Sequence, residues 1–125
     1  ELTRNNARYW ARRLAEGSAP NTHIPWSVGL AQLTDAHRLA WIAGEPLSPW
    51  MEVLRETAGA RHLMALGYTG GIQGYLPRDQ QLPEGGYEIT RSRKMGDEGP
   101  GHFKPGLDQA VREAFQRLAR AIGQV

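Results

Sequence analysis

Residues 62–88 read HLMALGYTGGIQGYLPRDQQLPEGGYE, an apolar run that empties into glycines and then into two tyrosines set among turn residues. His62, Leu63, Met64, Ala65 and Leu66 have the length and composition of a buried strand. Gly67, Gly70, Gly71 and Gly74 follow at once. Glycines at this density imply positive φ angles or a close approach of the backbone to something else. The stretch predicts a strand running into a functional loop, and what the loop crowds decides the function.

Upstream, residues 26–33 predict a strand in which Val28, Leu30 and Gln32 alternate against Ser27, Gly29 and Ala31. Thr34, Asp35 and Ala36 make a tight turn, and residues 37–43 (HRLAWIA) predict its hairpin partner, apolar enough to be buried on both faces. Residues 48–57 predict a helix with Ser48 as N-cap, Pro49 at the first helical position and Glu52 completing a capping box. Met51, Leu54 and Ala58 would face the core, and Gly59 stops the helix. Strand, helix, strand in that order predicts a parallel pair with a right-handed crossover. Strand 62–66 then lies beside the strand that ends at Gly44, Glu45 and Pro46.

Residues 2–16 and 107–122 carry apolar side chains at helical spacing, the latter through Leu107, Val111, Phe115, Leu118 and Ile122. Residues 18–25 read as a linker, 79–81 as one helical turn, 87–91 as an edge strand and 95–106 as a surface loop. The fold class that results is α/β, a mixed sheet with flanking helices. At 125 residues the chain fits a single domain or a fragment of a larger one.

Composition removes several classes of function. There is no cysteine, hence no disulfide scaffold, thiolate zinc site or cysteine nucleophile. The 15 basic residues are interleaved with 13 acidic ones, and only Arg91, Ser92, Arg93, Lys94 gathers positive charge, which reads as a solvated loop and not as a nucleic-acid surface. No apolar segment approaches the roughly 20 residues of a transmembrane helix. The chain opens on Glu1 without a visible signal peptide, as a processed, truncated or partial start would. The compartment stays open.

The motifs narrow the chemistry further. A Walker loop needs a Gly-Lys-Ser/Thr end and a dinucleotide fingerprint needs glycines that open a helix; Ile72, Gln73 and Gly74 lead instead into an extended Leu76-Pro77. His23, His37, His62 and His102 show no HxH or HExxH spacing, and no serine lies in a GxSxG elbow. What remains is Glu45 and Tyr75, each just beyond the end of neighbouring predicted strands, where ligands commonly sit in α/β sheets. Glu45 alone also reads as an ordinary exposed turn residue. A carboxylate and a phenol are hard oxygen donors suited to zinc, but a catalytic zinc takes three protein ligands and a water, so two are too few.

The segment IPWSVGLAQLTDAHRLAWIAGEP, the helix after it, GYTGGIQGYLPRDQQLPEGGYE and the final helix resemble the C-terminal part of the catalytic domain of neutral, non-lysosomal ceramidases and their bacterial relatives. The resemblance covers residues 25–122, and its most specific pieces are GEP after an apolar strand and GYLP followed by EGGYE. It implies a zinc-dependent hydrolase of an N-acyl amide, with Glu45 and Tyr75 as two of the zinc ligands. Two further histidines would come from outside this chain, either from the upstream part of the same domain or from a separate chain. It also implies an amide lipid or other small N-acyl substrate, and a secreted or periplasmic location.

The chain departs from the family pattern at Ala43, Gly70 and Ile72. The loop of Tyr68, Thr69, Gly70, Gly71, Ile72 and Gln73 is expected to line the substrate pocket, with Tyr87 and His102 at its rim. The competing reading, from a different class, is a non-catalytic α/β binding or interaction module that is a degenerate relative of the family.

Overall fold

The computed structural model of the chain describes residues 2–19, 23–92 and 101–123. Its elements are helix α1 (Leu2–Ala15), strands β1 (Val28–Gln32), β2 (His37–Ile42) and β3 (Glu45–Pro46), helix α2 (Trp50–Thr57), strands β4 (His62–Leu66) and β5 (Tyr75–Leu76), and helix α3 (Leu107–Ile122). β1 pairs antiparallel with β2, and β2 pairs parallel with β4. The order β1-β2-β4 makes a small mixed sheet flanked by helices, an α/β fold. β3 and β5 form a separate parallel bridge, which the sequence pattern does not predict as strand because each partner has only two residues.

Register explains which face is covered. Val28 and Leu30 lie opposite Ile42 and Ala40, and Ala40 lies beside Ala65, so these side chains share one face of the sheet. Against it pack Trp50, Val53 and Leu54 of α2 and Val111 and Phe115 of α3. The opposite face carries Leu39, Trp41, Met64 and Leu66, with Met64 57% exposed. Burial on both faces, expected for residues 37–43, and the buried strand expected at 62–66 therefore do not hold: α2 and α3 cover one side, and β4 is an edge strand whose burial alternates. Trp41 lies flat across Gly29, where a Cβ would sit 2.0 Å from the indole. Of the described side chains in α1, only Trp10 is buried.

One predicted cap, with its capping box, and one predicted strand are corrected. The residue ahead of α2 is Pro49, no side chain caps the helix, and Ser48 sits in the preceding turn. That turn is held by the backbone amides of Trp50 and Met51 bonding to the carbonyls of Leu47 and Ser48. Residues 87–91 form a single π-helical turn, not an edge strand. Gly85 and Gly86 adopt positive φ and reverse the chain, and the amides of Thr90 and Arg91 then bond back to the Gly86 carbonyl. The turn at 79–81 extends to a 3-10 helix over Asp79–Glu84. The part of the predicted loop at 93–100, including Arg93 and Lys94, lies outside the described residues.

α3 begins without a cap from its own N-terminal residue, Gly106. Asp79 reaches it from a distant part of the sequence, its carboxylate accepting from the amides of Gly106, Leu107 and Asp108. Asp108 returns the bond, accepting from the Asp79 amide at 3.0 Å. Beside them Arg78, only 8% exposed, gives Nη2 to Asp108 at 2.7 Å and Nη1 to Glu52 at 3.2 Å, with its guanidinium 5.8 Å from the Trp50 ring centre. Trp50 Nε1 in turn donates to the Leu76 carbonyl at 2.8 Å. This hub fastens the chain just after Tyr75 to both α2 and α3.

Candidate functional site

The site grows out of Gly44. There the chain leaves β2 with φ +68°, and a Cβ would lie 2.6 Å from both the Gly74 carbonyl and the Trp26 ring. Only glycine fits such a place. The crowding atoms belong to the glycine loop, which is stitched to the β2 exit by its backbone. The Gly44 amide bonds to Gly71 O and the Glu45 amide to Gly74 O, both at 2.8 Å, and the Tyr68 amide bonds to Gly44 O at 2.6 Å. The glycines are therefore there to let two backbones meet. Gly70, Gly71 and Gly74 all have positive φ, and Gly67 passes Pro46, with Cδ 3.0 Å from where a Cβ would be.

This stitching sets Glu45 directly beside Tyr75 in the parallel register of β3 and β5. Lateral neighbours in a parallel pair project to the same side of the sheet, about 4.8 Å apart. The Tyr75 phenol lies in the field of the Glu45 carboxylate. Partial burial, then the negative charge of Glu45, and then the neighbouring Tyr87, push the Tyr75 phenol above its ordinary value. Tyr87 stands edge-on to Tyr75, with centroids 5.9 Å apart and planes at 74°. Glu88, from the same turn as Tyr87, adds a second negative charge to the field at Tyr75.

A third tyrosine reaches the same carboxylate. The Glu45 carboxylate beside its hydroxyl, together with partial burial, pushes the Tyr68 phenol up to about 12. Among the described residues it is the non-glycine residue with positive φ, at 54°. That conformation is uncommon for an aromatic residue and tends to occur where the surroundings enforce it, as at functional sites. Here the enforcing contact is the short amide bond to Gly44, while the ring stays 57% exposed.

The rest of the loop divides in two. Ile72 is 82% exposed and Thr69 is occupied in bonding the Gly67 carbonyl at 3.0 Å. Gln73 folds back over Gly71 and leaves Oε1 buried with no hydrogen-bond partner among the described residues. His102 is exposed; its neighbour Phe103 packs edge-on against Trp26, the ring that lies on Gly44. A shallow depression of about 400 Å³ lies on α1 between Asn5, Arg8, Tyr9 and Arg12, and none of the loop residues lines it.

Among the described residues no three His, Asp or Glu side chains converge as a metal site. Glu45 and Tyr75 suit two adjacent coordination positions, since both are oxygen donors on one side of the β3–β5 bridge, and the remaining positions need donors from elsewhere. His37 and His62 do not supply them. They begin β2 and β4, whereas Glu45 and Tyr68 follow the far ends, and the five steps of β2 alone span roughly 16 Å.

Two features escaped the sequence reading. Tyr68 was placed on the pocket wall and not on Glu45, because the left-handed turn that aims it is invisible in composition. His37 and His62 share no sequence motif, yet both open strands predicted to be parallel neighbours, and that register was the signal that could have paired them. Comparison with protein-family models, with curated proteins and with solved structures returned no match.

Proposed function

We propose that this chain supplies one side of the metal site of a zinc-dependent hydrolase acting on an N-acyl amide, with Glu45 and Tyr75 as two of the ligands. The observation that carries the reading is the β3–β5 register, which sets these two oxygen donors side by side although thirty positions separate them in sequence. Leu76 anchors the bridge in the core while Glu45 and Tyr75 stay half-buried beside each other, as a preorganised ligand pair requires. The buried, unpartnered Oε1 of Gln73 supports a loop built to meet a further group. Two histidines from the upstream part of the same domain or from a separate chain complete the set, and the apolar sheet face bearing Met64 and Leu66 offers surface for such a neighbour.

Zinc held there supplies a Lewis acid for the amide carbonyl and lowers the pKa of water to about 7. The work of this chain is positional. Tyr68 holds the Glu45 carboxylate from the solvent side, Tyr75 faces it from β5, and Tyr87 closes the aromatic wall toward substrate, with His102 further out on the rim. The substrate class is an amide lipid or another small N-acyl amide.

The test is zinc content and amidase activity of the complete gene product, with and without Glu45→Ala. Stoichiometric zinc that falls at least tenfold in the variant, together with amide cleavage, is the expected result. Zinc content unchanged by Glu45→Ala, or no zinc at all, removes the catalytic reading and leaves a non-catalytic α/β interaction module.

A further inference from the structure

We propose that His37 and His62 form a second, independent site on this chain, for a divalent transition-metal ion of the copper, nickel and zinc group. The two residues are lateral neighbours in the parallel β2–β4 register. Their rings stack with centroids 4.7 Å apart and planes 24° from parallel. Both lie on the sheet face that α2 and α3 leave uncovered, and both are exposed. Two imidazole nitrogens bound to one tetrahedral ion at about 2.0–2.1 Å lie roughly 3.3 Å apart. Because imidazole lone pairs lie in the ring planes, the stacked rings turn about their side-chain torsions to aim at one ion, and strands about 4.8 Å apart leave that spacing within reach.

The backbone beneath the rings is fixed on both sides. The turn at residues 34–36 is closed by the Leu33 amide bonding to His37 O at 2.9 Å and the His37 amide bonding to Thr34 O at 3.2 Å. β4 is then tied to the same turn by the His62 amide, which bonds to Ala36 O at 2.9 Å. His37 also has the second contact that metal-binding histidines use. Its Nδ1 lies 2.9 Å from Thr34 Oγ1, and the tautomer that donates Nδ1–H to that oxygen leaves the lone pair on Nε2 for a metal. The adjacent cation Arg38 does not compete for the rings, because its guanidinium is turned to the Gln32 side chain and the Ala58 carbonyl.

Imidazole suits copper, nickel and zinc, and for a given nitrogen site copper(II) binds more tightly than nickel or zinc. With two protein ligands and the remaining positions filled by water, binding is reversible and ordered copper over nickel. The experiment is calorimetric titration of the 125-residue chain with CuCl2 and with NiCl2, repeated on His37→Gln, His62→Gln, the double variant, His23→Gln, His102→Gln and Glu45→Gln. The expected result is one ion per chain, copper tighter than nickel, with each of the first two substitutions weakening binding at least tenfold and the last three changing it less than twofold. Copper(II) should also broaden the ring proton resonances of His37 and His62 before those of His23 and His102. Binding that survives in the double variant, that is lost in His23→Gln or His102→Gln, or that is undetectable with millimolar copper overturns the proposal. Loss in Glu45→Gln instead would place the ion at the Glu45–Tyr75 centre, so the two sites are told apart.

Discussion

Replacing Arg78 by methionine keeps the apolar stem that crosses Trp50 and removes the charge that joins three elements. The guanidinium gives Nη2 and Nε to a single oxygen of Asp108, at 2.7 and 3.1 Å, and Nη1 to Glu52 at 3.2 Å. Breaking a buried ion pair from one side costs about 3–5 kcal/mol, most of it from stranding the partner's charge. Asp108 is not fully stranded: its side chain is 23% exposed and it keeps the Asp79 amide. The cost should therefore fall to about 2–3 kcal/mol. Glu52, with its side chain 68% exposed, should contribute no more than about 0.5 kcal/mol.

Urea unfolding should show the midpoint falling by that free energy divided by an unchanged slope, and the thermal midpoint dropping by roughly 6–15 °C for a chain of this size. The gap should also depend on pH. Burial alone would raise the Asp108 carboxyl, but the hydrogen bonds from Arg78 and the Asp79 amide and the charge of Arg78 outweigh it and hold it below its ordinary value of 3.8. A carboxyl with a depressed folded pKa stabilises fully above its unfolded value and loses that contribution as pH falls through the folded one. Wild type and Arg78→Met should thus converge below about pH 4. A loss under about 1 kcal/mol, or an equal loss in Glu52→Gln, would refute the hub as described.

Gly44→Ala should destabilise by about 2–5 kcal/mol, the sum of a left-handed alanine and overpacking. Gly74→Ala, also at positive φ but with nothing within 4 Å of its Cβ, should lose only the backbone part, and equal losses in the two variants would contradict the close approach. In an alkaline absorbance titration Tyr68 should ionise at about 12, and Glu45→Gln should bring it back toward an ordinary tyrosine. Because the neutral phenol is favoured in the fold, the stability it contributes is present below its ordinary value of 10.0 and is lost as pH rises toward 12. Titration of all the tyrosines in one step near 10 would be the contrary result.

The hairpin, the parallel return of residues 62–66 and the final helix were legible because each depends on local periodicity and turn residues. The adjacency of Glu45 and Tyr75 was legible for a related reason: parallel neighbours end at one edge of a sheet, and both residues follow such ends. What stayed hidden was set by partners distant in sequence. Arg78 sits in a Pro-Arg-Asp run that reads as a turn, and nothing local shows that its counter-ions are Glu52 and Asp108. Residues 87–91 have strand-like composition, Tyr-Glu-Ile-Thr-Arg, but Gly85 and Gly86 reverse the chain and Ile89 turns into the interior. The apolar residues of β4 likewise suggest a buried strand, whereas α2 and α3 cover only one side of the sheet and β4 is at its edge.

The mutual bond between Asp79 and Asp108 carries a consequence for the order in which the molecule assembles. The first turn of α3 takes its cap from Asp79, and the Asp79 amide takes its partner from Asp108, so each end completes the other's bonding. The two should therefore open and close together as one unit in hydrogen exchange, with the amides of Leu107 and Asp108 and that of Asp79 sharing one opening free energy. Tyr75 lies a few residues upstream of this unit, joined to it through Leu76 and Trp50. Docking of the last helix therefore adds a further restraint to a segment whose backbone is already held by Glu45 and Leu47.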